Sequence, residues 1–383
     1  MPSTSHIEII RNALNNNVDF LKSIIKKKTI ISAVIKGNAY GHGVQIIVPT
    51  LEEFGINHFS VYSSPEAKMA FQFKSNKSTI MIMGFIYDED IKWIIENKVE
   101  FFVPSLDMLN KSIETAKSLN KKAIIHIDLE TGMNRTGISL IQLKKAIDII
   151  NKNKKYLTIK GVASHFAGAE SIANYIRIKK QFSVFKQRIK LLNENNIYPK
   201  IKHIASSAAS ISYPETQLDL IRTGILIYGY WPTKETFIQY IHRKKNKLDP
   251  LKRALKWKTE VVLTKEIPSG EFIGYGISFQ AQRKMKIMII PVGYCNGYSR
   301  SLSNNGHVIV RGHFASIIGS VNMNMIICDI TDFENVEIGD EVVLIGKQFE
   351  NEISFTSFAE MNNSLNYEIL ARLPINMALL GSL

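Results

Sequence analysis

The sequence predicts an α/β protein in which an N-terminal TIM (β/α)8 barrel precedes a C-terminal domain that is mostly β. In the first two-thirds of the chain, eight short β-rich runs alternate with helical stretches. A polar, basic stretch then interrupts this pattern, and alternating β segments dominate after it. A chain of 383 residues has room for a barrel of about 250 residues and a smaller second unit.

The eight candidate strands are rich in β-branched and apolar residues and are bounded by turn residues. They are Thr29–Lys36, His58–Tyr62, Thr79–Met83, Glu100–Val103, Ala123–Glu130, Thr158–Ser164, Ile201–Ala205 and Leu218–Arg222. Helical stretches lie between them, among them Ser64–Phe73, Asp88–Glu96, Leu106–Ser118 and Ser139–Asn151. A doubly wound open sheet is the alternative, but the glycines in Lys36–Gly41 lack the spacing of a dinucleotide-binding fingerprint.

A polar and basic stretch at Thr233–Leu255 reads as a linker. We therefore expect a barrel domain over residues 1–240 and a β-rich domain, a small barrel or sandwich, over residues 241–383. Its candidate strands are Trp257–Lys265, Lys286–Val292, His307–Arg311, Ala315–Ile318, Met325–Asp329 and Glu341–Ile345, with a helix expected at Ser354–Asn362.

The composition is that of an ordinary soluble globular protein, with 45% hydrophobic and 21% charged residues. The net charge of +14 could indicate nucleic-acid binding, but the basic residues are spread along the helical stretches, so we expect a solvated surface and no nucleic-acid partner. The N-terminus lacks a signal pattern and no apolar run reaches membrane-spanning length. With Cys295 and Cys328 as its two cysteines, the chain is expected in a reducing cytoplasm, away from membranes.

Lys36 ends a strand of small and β-branched residues, and a glycine-containing loop follows it. Reactive groups of a barrel collect at the carboxyl ends of its strands. A lysine there, flanked by apolar neighbours, would be partly desolvated, which lowers the pKa of its amine and makes the neutral form available for a Schiff base. On position alone, a lysine that merely caps an exposed strand end is an equal alternative.

The run Ala33-Val34-Ile35-Lys36-Gly37-Asn38-Ala39-Tyr40-Gly41-His42-Gly43 closely resembles the lysine motif of the alanine racemase family, whose members use pyridoxal 5'-phosphate (PLP). The resemblance extends from about His6 to Arg372 and includes a barrel followed by a β domain. It implies that Lys36 holds PLP covalently and that Tyr40 packs near the cofactor.

Further segments of the family pattern follow in order. Thr131-Gly132-Met133-Asn134-Arg135-Thr136-Gly137 resembles the segment that contacts the substrate carboxylate, which assigns that contact to Arg135. A planar guanidinium suits a carboxylate. His165 resembles a histidine of the cofactor hydrogen-bond network, and Arg222 the arginine that faces the pyridine nitrogen. Because an arginine keeps its proton, Arg222 should leave that nitrogen unprotonated.

The phosphate of PLP needs anion-binding donors, and barrels often supply them in the loops after strands seven and eight. Gly224 and Ile225 offer backbone N–H groups there, and Ser207 matches a serine of the family. Ser206 stands where many members have asparagine. His203 also matches a family position, although a purely structural part is an alternative for it.

The run Phe272-Ile273-Gly274-Tyr275-Gly276 resembles the motif of the family's second catalytic residue. Racemisation removes a proton from one face of Cα and delivers one to the other, so Lys36 and Tyr275 would serve opposite faces. The resemblance implies a homodimer with shared sites, in which Tyr275 and the backbone of Met323 act on the partner's site, with Tyr294 at the entrance. Taken alone, Tyr275 would read as a tyrosine in a hairpin between glycines.

Several positions depart from the family. Asp128 stands where many members carry a lysine, often carbamylated, and Asn322 and Asn324 replace a common cysteine and aspartate. The C-terminal run from Asn366 to Pro374 resembles the family ending, but Ile375 follows it where some members have a phosphate-binding tyrosine. The resemblance places these departures around the substrate carboxylate and the phosphate, so they leave the identity of the substrate open.

The sequence thus predicts a PLP-dependent enzyme that interconverts L- and D-alanine, acts on a small amino acid and binds no metal. One alternative is a serine or broad-specificity racemase of the same family. Another is a regulatory protein that binds PLP without catalysis, but such proteins lack the second domain that Tyr275 belongs to.

Overall fold

The computed structural model describes residues 4–354, 358, 370, 371 and 373, and the backbone of residues 378–380. Its backbone divides into two compact units. The barrel unit comprises Ala13–Ala39 and Ile47–Lys252, and the β unit comprises Met1–Asn12, Tyr40–Ile46 and Arg253–Leu383. The expected boundary of functional domains at residue 240 stays a prediction, because a compact unit of backbone and a functional domain are different divisions of a chain.

The barrel unit contains one sheet of eight parallel strands, each close to its predicted position. The strands are β2 (Ile30–Val34), β3 (His58–Val61), β4 (Thr79–Ile82), β5 (Glu100–Val103), β6 (Ala123–Asp128), β7 (Leu157–Ala163), β8 (Ile201–His203) and β9 (Leu220–Thr223). The sheet path begins at β8 and ends at β9. Two backbone hydrogen bonds join these ends, from Asp219 N to Lys202 O at 3.0 Å and from Arg222 N to Ala205 O at 3.0 Å. The sheet is therefore a nearly closed TIM barrel, which confirms the predicted fold over an open doubly wound sheet.

Helices connect the strands, and several begin at residues that cap them. Ser105 Oγ accepts from Met108 N at 3.2 Å, and Ser139 forms a capping box with Gln142. The helices are α1 (Arg11–Ile24), α2 (Val44–Glu53), α3 (Ser64–Phe73), α4 (Asp90–Glu96), α5 (Leu106–Ser118), α6 (Leu140–Lys152), α7 (Tyr175–Glu194), α8 (Ser207–Ser212) and α9 (Lys234–His242). Short 3-10 turns occupy Lys154–Tyr156, Ile172–Asn174, Pro214–Thr216, Tyr294–Asn296 and Arg300–Leu302.

Helix α9 lies inside the stretch Thr233–Leu255 that we predicted to be a linker, so that prediction was wrong for the first half of the stretch. Thr233 caps the helix by accepting a hydrogen bond from Thr236 N at 3.2 Å. The rings of Phe237 and Tyr240 lie 5.2 and 5.3 Å from the ring of Trp231, so the helix packs through its aromatic residues. The many lysines of the stretch favoured a linker in the sequence analysis, although the aromatic residues pack as a helix.

The β unit contains two sheets, as the predicted β-rich second domain requires. The larger sheet contains β1 (His6–Ile9), β10 (Leu255–Glu260), β13 (His307–Val310), β14 (His313–Ser316), β16 (Glu341–Gln348), β17 (Asn351–Ile353) and β18 (Ala378–Leu380). The smaller sheet contains β11 (Leu263–Ile267), β12 (Met285–Ile290) and β15 (Ile326–Asp329). The first strand of the chain, β1, pairs antiparallel with β10, so that His6 lies opposite Lys258.

The single strand predicted at Trp257–Lys265 is in fact two strands, β10 and β11. Val261 N donates to Asp340 O at 3.0 Å, and the next amide, Val262 N, donates to Ile289 O at 3.0 Å. Successive amides thus bond in different directions, and the chain changes sheets at this point. The predicted helix at Ser354–Asn362 lies outside the described residues except at Ser354 and Phe358, as do nearly all of the terminal run from Asn366 to Pro374 and Ile375.

Candidate active site

Lys36 lies two residues after the carboxyl end of strand β2, which ends at Val34 and not at Lys36 as predicted. The residue is exposed as a whole, but the protein around its amine partly desolvates it. This desolvation, together with the nearby positive charge of Arg135, lowers the pKa of Lys36, while Glu66 opposes the shift. A larger fraction of the amine is therefore neutral than in an ordinary surface lysine.

The backbone after Lys36 forms a left-handed turn. The φ angles of Gly37, Asn38, Ala39 and Tyr40 are 61°, 51°, 55° and 53°. Residues other than glycine seldom adopt this region, and such strain is concentrated at functional sites. Glu66, at the start of helix α3, stabilises the turn because its carboxylate accepts a hydrogen bond from Gly37 N at 2.8 Å.

Sequence reasoning missed Glu66. Acidic residues are common in the first turn of a helix, because their negative charge interacts favourably with the positive end of the helix dipole. The same carboxylate also accepts from Tyr62 N at 2.7 Å, so it ties the loop after β3 to the lysine turn. No sequence signal could have distinguished this contact from a helix-capping charge.

The loop that carries Arg135 is organised by a carboxylate as well. Glu130 accepts hydrogen bonds from the amides of Gly132, Met133 and Asn134, the last two at 2.8 Å. Such a nest of consecutive N–H groups around one anion fixes the course of the backbone. Arg135 and His165 both line a small cleft beside Asp128.

Asp128 is 6% exposed and lies at the end of β6. Burial raises the pKa of its carboxyl to about 6, although the hydroxyl of Thr136 and the charges of Arg222 and Arg135 favour the ionised form. The direct partner of Asp128 Oδ2 is Thr136 Oγ1, which donates to it at 3.0 Å. Asp128 therefore acts on Arg135 through its charge, while its hydrogen bond is to Thr136, the residue that follows Arg135.

Arg222 occupies the interior of the barrel at the end of β9 and is 5% exposed. Its Nη2 donates to Ser164 O at 2.6 Å and lies 3.4 Å from His165 Nδ1, so the predicted pair is brought together. Burial and the neighbouring charges of Arg222, Arg135 and Lys36 lower the pKa of His165 to about 3. His165 is thus a neutral ring beside a buried guanidinium.

The residues expected to bind phosphate also lie together. Ser207 Oγ is 3.0 Å from Thr223 Oγ1 and accepts from Gly224 N at 3.2 Å, which joins the loops after β8 and β9. Ile225 follows and is buried. Ser206 Oγ accepts from Ala209 N at 3.4 Å and caps helix α8. Thr223, which sequence reasoning did not single out, is the added hydroxyl of this group.

The remaining predicted residues belong to the β unit. Tyr40 is buried there, whereas Tyr275 is 76% exposed between Gly274 and Gly276, which adopt φ angles of 79° and 71°. Met323 O accepts from Cys295 N at 3.0 Å, so the loop of Met323 is joined to the turn that begins at Tyr294.

The described part of the chain contains neither a candidate metal site nor a candidate membrane span. No group of three or more His, Cys, Asp or Glu side chains is close enough to hold a metal ion. No helix there has both the length and the apolar character needed to cross a membrane.

Comparison with known proteins identifies the family. The N-terminal domain of alanine racemase matches residues 9–232, and the C-terminal domain matches residues 254–378. This chain belongs to the alanine racemase family. Alanine racemase 1 of Caldanaerobacter subterraneus is 34% identical over 96% of the chain and 92% of that relative. The alanine racemase of Methanococcus maripaludis is 32% identical over 96% of each chain.

Solved structures of the alanine racemase family share the fold. That of Clostridium difficile superposes with a TM-score of 0.89 at 28% identity and covers 98% of this chain and 94% of its own. A structure of alanine racemase from Bartonella henselae with covalently bound pyridoxal phosphate superposes with a TM-score of 0.83 at 27% identity, over 97% of this chain and 98% of its own.

Proposed function

We propose that the protein interconverts L- and D-alanine with PLP as its cofactor. The observation that carries this proposal is the set of groups at the carboxyl ends of the barrel strands. This set contains the Lys36 amine, whose pKa is lowered, the Arg135 guanidinium, which can bind a carboxylate, and the buried cation of Arg222. The chain that holds them belongs to the alanine racemase family.

The donors present fit PLP. Lys36 offers an amine for the aldehyde, and Arg222 offers a permanent cation to the ring nitrogen. Ser207, with the amides of Gly224 and Ile225, offers neutral hydrogen-bond donors to the phosphate. When bound, PLP supplies an electron sink that stabilises negative charge on the substrate Cα.

Two residues transfer the protons: Lys36 of one subunit and Tyr275 of the partner subunit. The Lys36 amine can accept or return a proton on one face of Cα because its pKa is lowered. Tyr275 serves the opposite face, and Tyr40 packs near the cofactor. Arg135 binds the substrate carboxylate and the backbone of Met323 contacts it from the other subunit, with Tyr294 at the entrance.

The homodimer in this proposal is supported by the exposure of apolar residues around Tyr275. Ile277 is 82% exposed and Phe272 is 52% exposed, both within three residues of Tyr275 in the sequence. An exposed apolar segment of this kind suits a surface that a partner covers. We also place the protein in a reducing cytoplasm, since both cysteines are free.

A serine or broad-specificity racemase is the second candidate. Asp128, Asn322 and Asn324 depart from the commonest family residues, and all three departures concern the substrate carboxylate region. A regulatory PLP-binding protein is disfavoured because residues 254–378, which include Tyr275, match the family's C-terminal domain.

The deciding experiment incubates the purified PLP-loaded protein with each L-amino acid and resolves the chirality of the product. We expect D-alanine to form with the highest kcat/KM and serine to react more slowly. Lys36→Ala serves as the inactive control. A higher kcat/KM for serine would replace alanine by the second candidate, and the absence of any D-product would contradict a racemase.

A further inference from the structure

A line of hydrogen-bonded polar side chains runs through the interior of the barrel. Glu100, His126, His203 and Arg222 come from four different strands and are each 5% exposed or less. His126 Nε2 is 2.8 Å from Glu100 Oε2, His126 Nδ1 is 2.9 Å from His203 Nε2, and His203 Nδ1 is 2.6 Å from Arg222 Nη1. TIM barrels usually fill this space with branched apolar side chains.

Donor and acceptor are fixed in each hydrogen bond of this line, and Arg222 determines the assignment. A guanidinium can only donate, so His203 Nδ1 accepts and His203 carries its proton on Nε2. That proton is donated to His126 Nδ1, and His126 therefore carries its own proton on Nε2. The His126 proton faces Glu100 Oε2, and an ionised carboxylate is an acceptor only.

The charges agree with this direction. Burial alone would raise the pKa of Glu100, but hydrogen bonds from His126 and His58 lower it well below its ordinary value. Burial lowers the pKa of both His126 and His203, so the two rings are neutral. The line thus has an anion at one end, a cation at the other, and two neutral imidazoles between them.

Such a line is a poor means of stabilising a barrel. A buried ion pair seldom contributes more to stability than apolar residues of similar volume, because both charges lose their hydration. It does determine orientation, since each ring nitrogen has one permitted role. Its far end is Arg222, the residue proposed to meet the ring nitrogen of PLP.

We propose that Glu100 is a positioning residue for the reaction, which acts through His126 and His203 to hold the guanidinium of Arg222 in place. The inference rests on the proposed function. Glu100 itself lies at the opposite end of the barrel, where it lines a cavity of about 630 Å³. Its second oxygen, Oε1, is 3.3 Å from Lys160 Nζ, so Oε2 remains directed to the histidines.

The first test measures the histidine rings of the wild-type holoenzyme by 15N NMR. Ring signals are assigned from their loss in His126→Gln and His203→Gln. We expect both rings to be neutral with the proton on Nε2. A proton on Nδ1 of either ring would overturn the proposal. On His203 it would set a donor against the Arg222 guanidinium, and on His126 it would reverse the hydrogen bond to His203. This arm needs no activity, so it stands even if no amino acid is racemised and the proposed function fails.

The second test compares Glu100→Gln with Glu215→Gln in the holoenzyme. The glutamine keeps the shape of Glu100 and can accept from His126, but it lacks the charge. We expect kcat to fall about tenfold with KM changed less than about twofold, because the lost interaction acts through Arg222 and touches no substrate. The His126 Nε2 proton should also move upfield as its hydrogen bond weakens.

Glu215 is a matched control because its carboxylate pairs with Lys179 at 2.6 Å on the surface, with about half of each side chain exposed. Its replacement should leave kcat within about twofold, as expected for a surface ion pair. A Glu100→Gln enzyme with the kcat and histidine shifts of the wild type would overturn the proposal.

Discussion

The two residues proposed to move protons, Lys36 and Tyr275, have contrasting surroundings. Lys36 belongs to the barrel unit, where burial and Arg135 lower the pKa of its amine and Glu66 opposes them. A strained turn fixes the backbone that follows it. Tyr275 belongs to the β unit and projects from a loop in which it is 76% exposed. The pKa of Lys36 is set by residues of its own unit, whereas the side chain of Tyr275 is mostly exposed to solvent.

This contrast shows why a shared site suits the chain. A phenol has an ordinary pKa near 10, so a tyrosine needs nearby cations before it can act as a base at neutral pH. The barrel unit holds such cations in Arg222 and Arg135. An exposed Tyr275 can meet them in a second copy of the chain, which is the arrangement that the proposed homodimer provides.

Replacing Lys36 should have the largest effect. In Lys36→Ala the protein loses both the covalent attachment of PLP and one proton-transfer group, so racemisation should fall by at least about a thousandfold. The lysine-linked absorbance of the cofactor should also disappear. Lys190→Ala is the control, because that lysine is on the surface of α7 with 77% of its side chain exposed. A borohydride-reducible link between PLP and the Lys36→Ala protein would show that another residue holds the cofactor.

A subunit-mixing experiment tests Tyr275. Lys36→Ala and Tyr275→Ala homodimers should each be nearly inactive. If Tyr275 acts on the partner's site, each mixed dimer contains one intact site, and random exchange should restore about one quarter of the wild-type activity. Racemisation is measured after exchange, and mixed dimers are verified by differential tagging. Verified mixed dimers without activity would place Tyr275 in the site of its own chain.

Asp128 should give the smallest of these effects. We propose that its carboxylate replaces the carbamate of many relatives and favours the cation of Arg135 by charge, while Thr136 holds it. Asp128→Asn keeps the shape and removes the charge, so KM for alanine should rise about threefold to tenfold with little change in kcat. Because the pKa of Asp128 is raised to about 6, the wild-type KM should rise as the pH falls through 6.

The pH profile separates this interpretation from a carboxylate that only fills space. In Asp128→Asn the dependence of KM on pH near 6 should vanish, because the titrating group is gone. Added bicarbonate should leave the wild-type rate unchanged, since residue 128 has no amine to carbamylate. Identical KM profiles for the variant and the wild type would retire the proposal.

Most of the fold could be predicted because its elements have regular periodicity and clear ends. Helices α3 and α5 and strand β5 match their predicted bounds, and the other seven barrel strands differ by one or a few residues at their ends. Two features could not be predicted from local pattern. Helix α9 depends on aromatic contacts with Trp231, and the break after β10 depends on which sheets accept consecutive amides.

The candidate site divides in the same way. Motifs predicted which residues gather at the strand ends, and the structure places Arg222 beside His165 and Ser207 beside Gly224. The residues that orient them carry no motif. Glu66 is 29 residues from its partner Gly37, and Glu100 is 26 residues from its partner His126, so only the closed barrel brings each pair into contact.

The pairing of β1 with β10 has a consequence for synthesis of the chain. His6 leaves the ribosome about 250 residues before Lys258, the residue opposite it in the sheet. At roughly 5–20 residues per second, the first strand therefore waits between about 12 and 50 seconds for its partner, while the whole barrel is made. During that interval a short strand with alternating buried positions has no sheet to join. Strand β1 is thus synthesised before the barrel but joins its sheet only after the barrel is complete, and a truncated product that stops at the barrel would leave this strand exposed.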